Sequence, residues 1–125
     1  MTRDIKSLMR ANIANLKPYS TARDEYKGTL GIFLDANENP YQNGYNRYPS
    51  PALKEKVRER IADLKGVDSR NLFMGNGSDE AIDLCYRVFC EPRIDNAISV
   101  APSYGMYGVC ADINDVEFRT VPLNA

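Results

Sequence analysis

Apolar positions along the chain switch between helical and strand spacing. Leu53, Val57, Ile61 and Leu64 recur every three or four residues, the period of one helix face. Ser50 stands before them as an N-cap, Pro51 suits the first helical position, and Gly66 ends the run. The charges between them (Lys54, Glu55, Lys56, Arg58, Glu59, Arg60) make a solvated face. A second helical period runs from Ala81 to Phe89 and stops before Pro92. Asn96 to Ala101 is apolar on both faces, as in a parallel strand covered on both sides. A helix to about Ile113 follows. Val116, Phe118 and Thr120 then alternate with Glu117 and Arg119, a half-buried strand. Two shorter apolar runs, Leu30 to Leu34 and Leu72 to Met74, also read as strands.

The order strand, helix, strand, helix, strand predicts an α/β fold, a partial three-layer sandwich with a mostly parallel sheet. About three strands leave an open edge and an uncovered layer, so the chain reads as part of a larger domain, and alone it is expected to bury too little apolar surface to behave as a monomer. Residues 1 to 28 lack a clear period beyond a short helix through Ile5, Leu8, Met9 and Ile13. They read as an N-terminal arm, packed on something else or mobile, with residues 29 to 125 as the incomplete domain.

The central turn is Gly75-Asn76-Gly77-Ser78-Asp79-Glu80. Its glycines permit a sharp turn after a strand, and Ser78 and Asp79 suit the N-cap of the following helix. Free backbone N–H groups and a positive dipole end meet there, a setting for a phosphate. The same residues also suit an ordinary capped turn. No Lys-Ser or Lys-Thr follows, so it is not a Walker loop, and Glu80 stands where a dinucleotide fingerprint needs a third small residue. A second turn, Pro102-Ser103-Tyr104-Gly105, follows the next strand. Ligands of parallel sheets sit beyond the carboxyl ends of strands, which places both turns at one address. There Tyr104 can lay a ring on a flat ligand while Ser78 and Asp79 hold its phosphate. The polar loop from Asp35 to Pro49 carries Tyr41, Tyr45, Tyr48 and Arg47, unusual cargo that either packs the loop down or binds.

Charge narrows the partners. Among 125 residues, 16 Lys and Arg oppose 17 Asp and Glu, so no bulk attraction to nucleic acid or an anionic membrane exists. No apolar run approaches the roughly 18 residues of a membrane span, and the first ten residues lack the apolar core of a signal peptide. Cys85, Cys90 and Cys110 form an odd set without a Cys-x-x-Cys pair, and histidine is absent. No metal, disulfide framework or Ser-His or Cys-His catalysis is expected, and the cytoplasm is the expected compartment.

Four stretches in order carry a resemblance: Leu34-Asp35-Ala36-Asn37-Glu38-Asn39-Pro40-Tyr41, Asn46-Arg47-Tyr48-Pro49, Gly75 to Glu80, and Pro102-Ser103-Tyr104-Gly105-Met106-Tyr107. Together with Leu16-Lys17-Pro18-Tyr19, they resemble the N-terminal third of the histidinol-phosphate aminotransferase family, fold-type I enzymes that use pyridoxal 5'-phosphate. Threonine-phosphate decarboxylases share most of these motifs, and a stand-alone phosphate-binding module is the alternative outside the family. The resemblance implies that Ser78 and Asp79 bind the cofactor phosphate and that Tyr104 stacks on its ring. It implies that Tyr48 reaches the phosphate of the neighbouring subunit's cofactor in a homodimer, and that Tyr19 and Asn37 lie near substrate. It further implies L-histidinol phosphate and 2-oxoglutarate as substrates. The Schiff-base lysine, the acidic partner of the pyridine nitrogen and the substrate-binding arginines belong to later parts of such enzymes. No catalytic residue is therefore expected in this chain, which is expected to be inactive alone and to bind the cofactor weakly.

Overall fold

In the computed structural model, residues 4–26, 28, 31–34 and 36–123 are described. They divide into two compact units, one of residues 4–17 with 75–123 and one of residues 18–74.

The first unit holds the sheet. Helix α4, Ser78–Phe89, leads into strand β1, Asn96–Ala101; helix α5, Met106–Ile113, then crosses to strand β2, Glu117–Pro122. The two strands pair in parallel, with Asn96 opposite Glu117 and Ala101 opposite Pro122. A parallel pair needs a crossover longer than a hairpin turn, and α5 supplies it. Tyr86, Cys110, Ala111 and Val116 form the core, with Ile82, Cys90, Ala97, Met106 and Phe118 packed on it. The Tyr86 hydroxyl, carried in among apolar groups, donates to the Tyr107 carbonyl at 2.9 Å, which satisfies a polar tip that burial would otherwise penalise. Gly108 lies against the Phe118 ring, 3.5 Å from where a Cβ would stand. Cys110 is buried, and burial pushes its thiol pKa up. Cys85 is exposed on α4.

The expected amphipathic helix near the N-terminus is broken in two. A 3-10 turn, Ile5–Leu8, is capped by the Asp4 carboxylate, which accepts from the Lys6 N–H at 3.1 Å. Met9 and Arg10 are then extended before the short helix α1, Ala11–Ala14. The break lets Arg10 dock on the end of α4. Its N–H donates to the Val88 carbonyl at 2.9 Å, and its guanidinium reaches the Arg87 carbonyl at 3.1 Å and Glu91 at 3.0 Å. These are carbonyls that a helix end leaves without intrahelical donors.

In the second unit, helix α2, Ala22–Glu25, comes before helix α3, Pro51–Lys65. The ends of α3 follow the sequence signals. The Ser50 hydroxyl accepts from the Leu53 N–H at 3.2 Å, and Gly66 takes the left-handed conformation at φ 66°, ψ 35°. Two expected strands do not form among the described residues. Leu30 lies outside the described residues, and residues 31–34 form no strand. Residues 72–74 come after a 3-10 turn, Ser69–Asn71, without entering a ladder; Phe73 is 61% exposed. A strand exists only through a neighbour's backbone groups, and no described residue supplies them to this run.

Candidate cofactor-phosphate site

The turn before α4 departs from the expected capping. Gly77, not Ser78 or Asp79, is the N-cap, at φ 86°, a conformation that a side chain resists. A Cβ there would meet nothing within 4 Å, so glycine is required by the backbone angle while the space above it stays open. Ser78, Asp79 and Glu80 are the first three helical residues, and no side chain caps their amides. Glu80 reaches back instead, its Oε2 accepting from the Asn76 N–H at 2.5 Å. This reproduces half of a capping box, in which the third helical residue returns to a donor ahead of the helix. The spacing from Gly77 to Glu80 carried that signal, which reading Ser78 as the cap obscured. The outcome is a row of helix-start amides with free donors beside an open glycine, and a Ser78 hydroxyl with no partner among the described residues.

Tyr104 stands three residues past the carboxyl end of β1. Its hydroxyl donates to Asp79 Oδ1 at 3.1 Å, joining the turn after β1 to the first turn of α4. Its ring meets Tyr107 edge-on, with centroids 5.9 Å apart and planes at 90°. The bond to Asp79 pushes the Tyr104 pKa up, and the charge of the same carboxylate adds to it. Tyr104 is 53% exposed, so half its surface is open to a flat ligand. Ser78, Asp79 and Tyr104 are therefore gathered at one end of the first unit. The arrangement offers amide donors, a free hydroxyl and an aromatic face, which fits a group carrying a phosphate on a planar ring.

In the second unit, Asn37 and Tyr48 share a hollow of about 410 Å³, lined also by Glu38, Asn46 and Arg47. Asn37 adopts φ 49°, a conformation that Asn tolerates better than most residues. The Tyr48 ring is 66% exposed while its backbone N–H is held by Glu38 at 2.7 Å. Tyr19 is 88% exposed and does not line this hollow. Asp35 lies outside the described residues. The sequence pattern does not single out Glu38; one acid among polar loop residues carries no periodic signal.

Comparison with known proteins points the same way. The aminotransferase class I and II family matches residues 26–125. The chain is 57% identical over 122 residues to a histidinol-phosphate aminotransferase of Parabacteroides distasonis, covering 98% of this chain and 35% of that protein. It is 54% identical over 121 residues to the enzyme of that description in Bacteroides thetaiotaomicron, covering 96% of the chain and 35% of that protein. Likewise, 54% identity over 123 residues links it to the one in Christiangramia forsetii, covering 97% of the chain and 35% of that protein. The chain belongs to the aminotransferase class I and II family, whose members use pyridoxal 5'-phosphate, and spans about a third of the length of these relatives.

Proposed function

We propose that these residues are the N-terminal part of an aminotransferase that exchanges an amino group between L-histidinol phosphate and 2-oxoglutarate, and that they supply the phosphate end of its cofactor site. The observation that carries the reading is the Tyr104–Asp79 bond of 3.1 Å. It sets an open aromatic face beside uncapped helix-start amides in one unit.

Pyridoxal 5'-phosphate supplies the electron sink that amino-group transfer requires. The amides of Ser78 and Asp79, with the Ser78 hydroxyl, hold the phosphate. The positive end of α4 adds a favourable field for its charge. The Asp79 carboxylate, turned to the Tyr104 hydroxyl, is kept away from the anion and orients the ring that lies on the cofactor. Tyr48 reaches the phosphate in the partner subunit of a homodimer, and Tyr19 and Asn37 lie toward the phosphorylated amine. The three relatives from Parabacteroides, Bacteroides and Christiangramia carry the substrate in their description, at 54–57% identity, which supports this substrate over others of the class.

The test is an assay of the full-length gene product and of the 125-residue chain with L-histidinol phosphate, 2-oxoglutarate and cofactor. Turnover is expected in the longer product and none in the chain alone. Turnover by the chain alone would overturn the division of labour. A native product of only this length would overturn the aminotransferase reading itself.

A further inference from the structure

We infer that Glu38 is a positioning residue that fixes Tyr48, acting through the backbone of the loop rather than on a ligand; this rests on the proposed role of Tyr48. The Glu38 side chain is 3% exposed, in a loop whose other side chains are largely in solvent. Both oxygens are used by successive residues on the far side of the loop. Oε2 accepts from the Arg47 guanidinium at 2.8 Å, and Oε1 accepts from the Tyr48 N–H at 2.7 Å. A second tie runs alongside, from Asn46 Nδ2 to the Asn39 carbonyl at 3.0 Å. Between the ties, Asn39 and Asn43 turn the chain by accepting from the N–H groups of Tyr41 and Tyr45, at 3.0 and 2.9 Å.

A carboxylate is costly to bury unless it is paired and hydrogen-bonded. Here the guanidinium neutralises it, and the backbone donor gives it direction. Arg47 remains 41% exposed, so its own solvation is largely kept. The tie from residue 38 to residue 48 removes the freedom of a ten-residue loop at the point where Tyr48 leaves it. Tyr48 is 66% exposed, so packing holds its ring only in part. Its position therefore depends largely on its backbone, which Glu38 holds.

The first arm of the test is hydrogen exchange at the Tyr48 amide in the full-length protein without added cofactor, read by residue-resolved mass spectrometry. Glu38→Ala is expected to speed exchange roughly tenfold or more, the scale of one charge-assisted hydrogen bond. Glu38→Gln keeps an acceptor oxygen and is expected to retain most of the protection, whereas Arg47→Ala, which leaves the Tyr48 bond but removes the neutralising charge, is expected to lose part of it. These two variants carry the test if the alanine variant fails to fold. Unchanged exchange in Glu38→Ala, or loss in Arg47→Ala equal to that in Glu38→Ala, overturns the proposal. The second arm is cofactor affinity by absorbance in Tyr48→Phe, Glu38→Ala and the double variant. Each single change is expected to weaken binding roughly tenfold, with the double no weaker than the worse single. A multiplied loss in the double means Glu38 acts apart from Tyr48 and overturns the proposal. If Tyr48→Phe leaves affinity unchanged while the exchange result holds, the role of Tyr48 fails, and the proposal with it, although the tie is real.

Discussion

Helices α3 and α4 carry apolar stripes of similar spacing, and only α4 has its stripe covered. In α4, Ile82 and Tyr86 face the core, and Tyr86 is 7% exposed. In α3, Leu53, Val57 and Leu64 are 52%, 44% and 70% exposed, and Ala62 is the buried residue. Yet α3 is the better capped, with a serine at its start and a left-handed glycine at its end, whereas α4 starts without a side-chain cap. Caps satisfy a helix's own backbone and decide where it begins and stops. They do not bring a surface to cover it. Helix α4 has that surface because β1, α5 and β2 come within the next few dozen residues and fold back on it. Helix α3 is succeeded only by a 3-10 turn and an unpaired run through Met74.

The contrast breaks most sharply on core substitutions. Tyr86→Ala removes a buried ring and the hydroxyl bond to the Tyr107 carbonyl, at an expected cost of about 3–5 kcal/mol. Leu64→Ala, at a site 70% exposed, is expected to stay within about 0.5 kcal/mol. Chemical denaturation followed by near-ultraviolet circular dichroism compares them. Equal costs would mean that the α3 stripe is packed after all.

Caps should matter in the opposite place. Ser50→Ala deletes the hydroxyl that accepts from Leu53, at an expected cost to α3 of about 1 kcal/mol. Gly66→Ala forces a Cβ onto φ 66°, at a similar expected cost of about 1 kcal/mol. Exchange rates of the α3 amides report both. Neither change should alter exchange in α4, and a spread into α4 would contradict the division into two units.

How much of this was legible depends on which forces act locally. The bounds of α3, the span Asn96–Ala101 and the parallel pairing of the last two strands could be read from Ser50, Pro51, Gly66 and the apolar periods, because each signal lies within a few residues of its effect. The runs at 31–34 and 72–74 carry the same local preference but find no ladder, and strand formation depends on a partner that periodicity does not name. Ser78, Asp79 and Tyr104 were singled out by motif and do converge; the resemblance gave Asn37 and Tyr48 separate roles, and the two line one hollow. The capping role of Glu80 and the buried ties of Glu38 depend on side chains reaching across turns, which composition does not encode.

A smaller effect separates the units by pH. Asp83 on α4 accepts from Asn114 Nδ2 at 2.7 Å and from Arg87 at 2.6 Å. The Asn114 bond, more than the arginine, holds its carboxyl below the ordinary value of 3.8. A lowered folded pKa stabilises above the unfolded value, and that contribution is lost as pH falls through the folded one. Asn114→Ala is therefore expected to shift acid unfolding of α4 to higher pH by a fraction of a unit, roughly what one exposed-side bond supports. The α3 signal should not move. An unchanged acid midpoint would assign the low pKa to Arg87 instead.

The smallest expected effect lies at the candidate site itself. The Tyr104 hydroxyl donates to Asp79, which raises its pKa above the ordinary 10.0. A raised folded pKa means the bond contributes fully below the unfolded value and is lost as pH climbs through the folded one. Burial raises the Tyr86 pKa as well, so ultraviolet titration of tyrosinate should show late-titrating residues of which one disappears in Tyr104→Phe. Asp79→Asn removes the charge but leaves an oxygen able to accept, so the late titration should fall back only partly, whereas Asp79→Ala should abolish it. Phosphate-bearing ligands sharpen the reading. If the Asp79 carboxylate is turned to Tyr104 and only its amide meets the anion, pyridoxal 5'-phosphate should leave the Tyr104 titration raised and Asp79→Asn should bind it no more weakly than the parent does. Tighter binding by Asp79→Ala would mean that the carboxylate faces the anion and repels it, and that the bond to Tyr104 does not hold it aside.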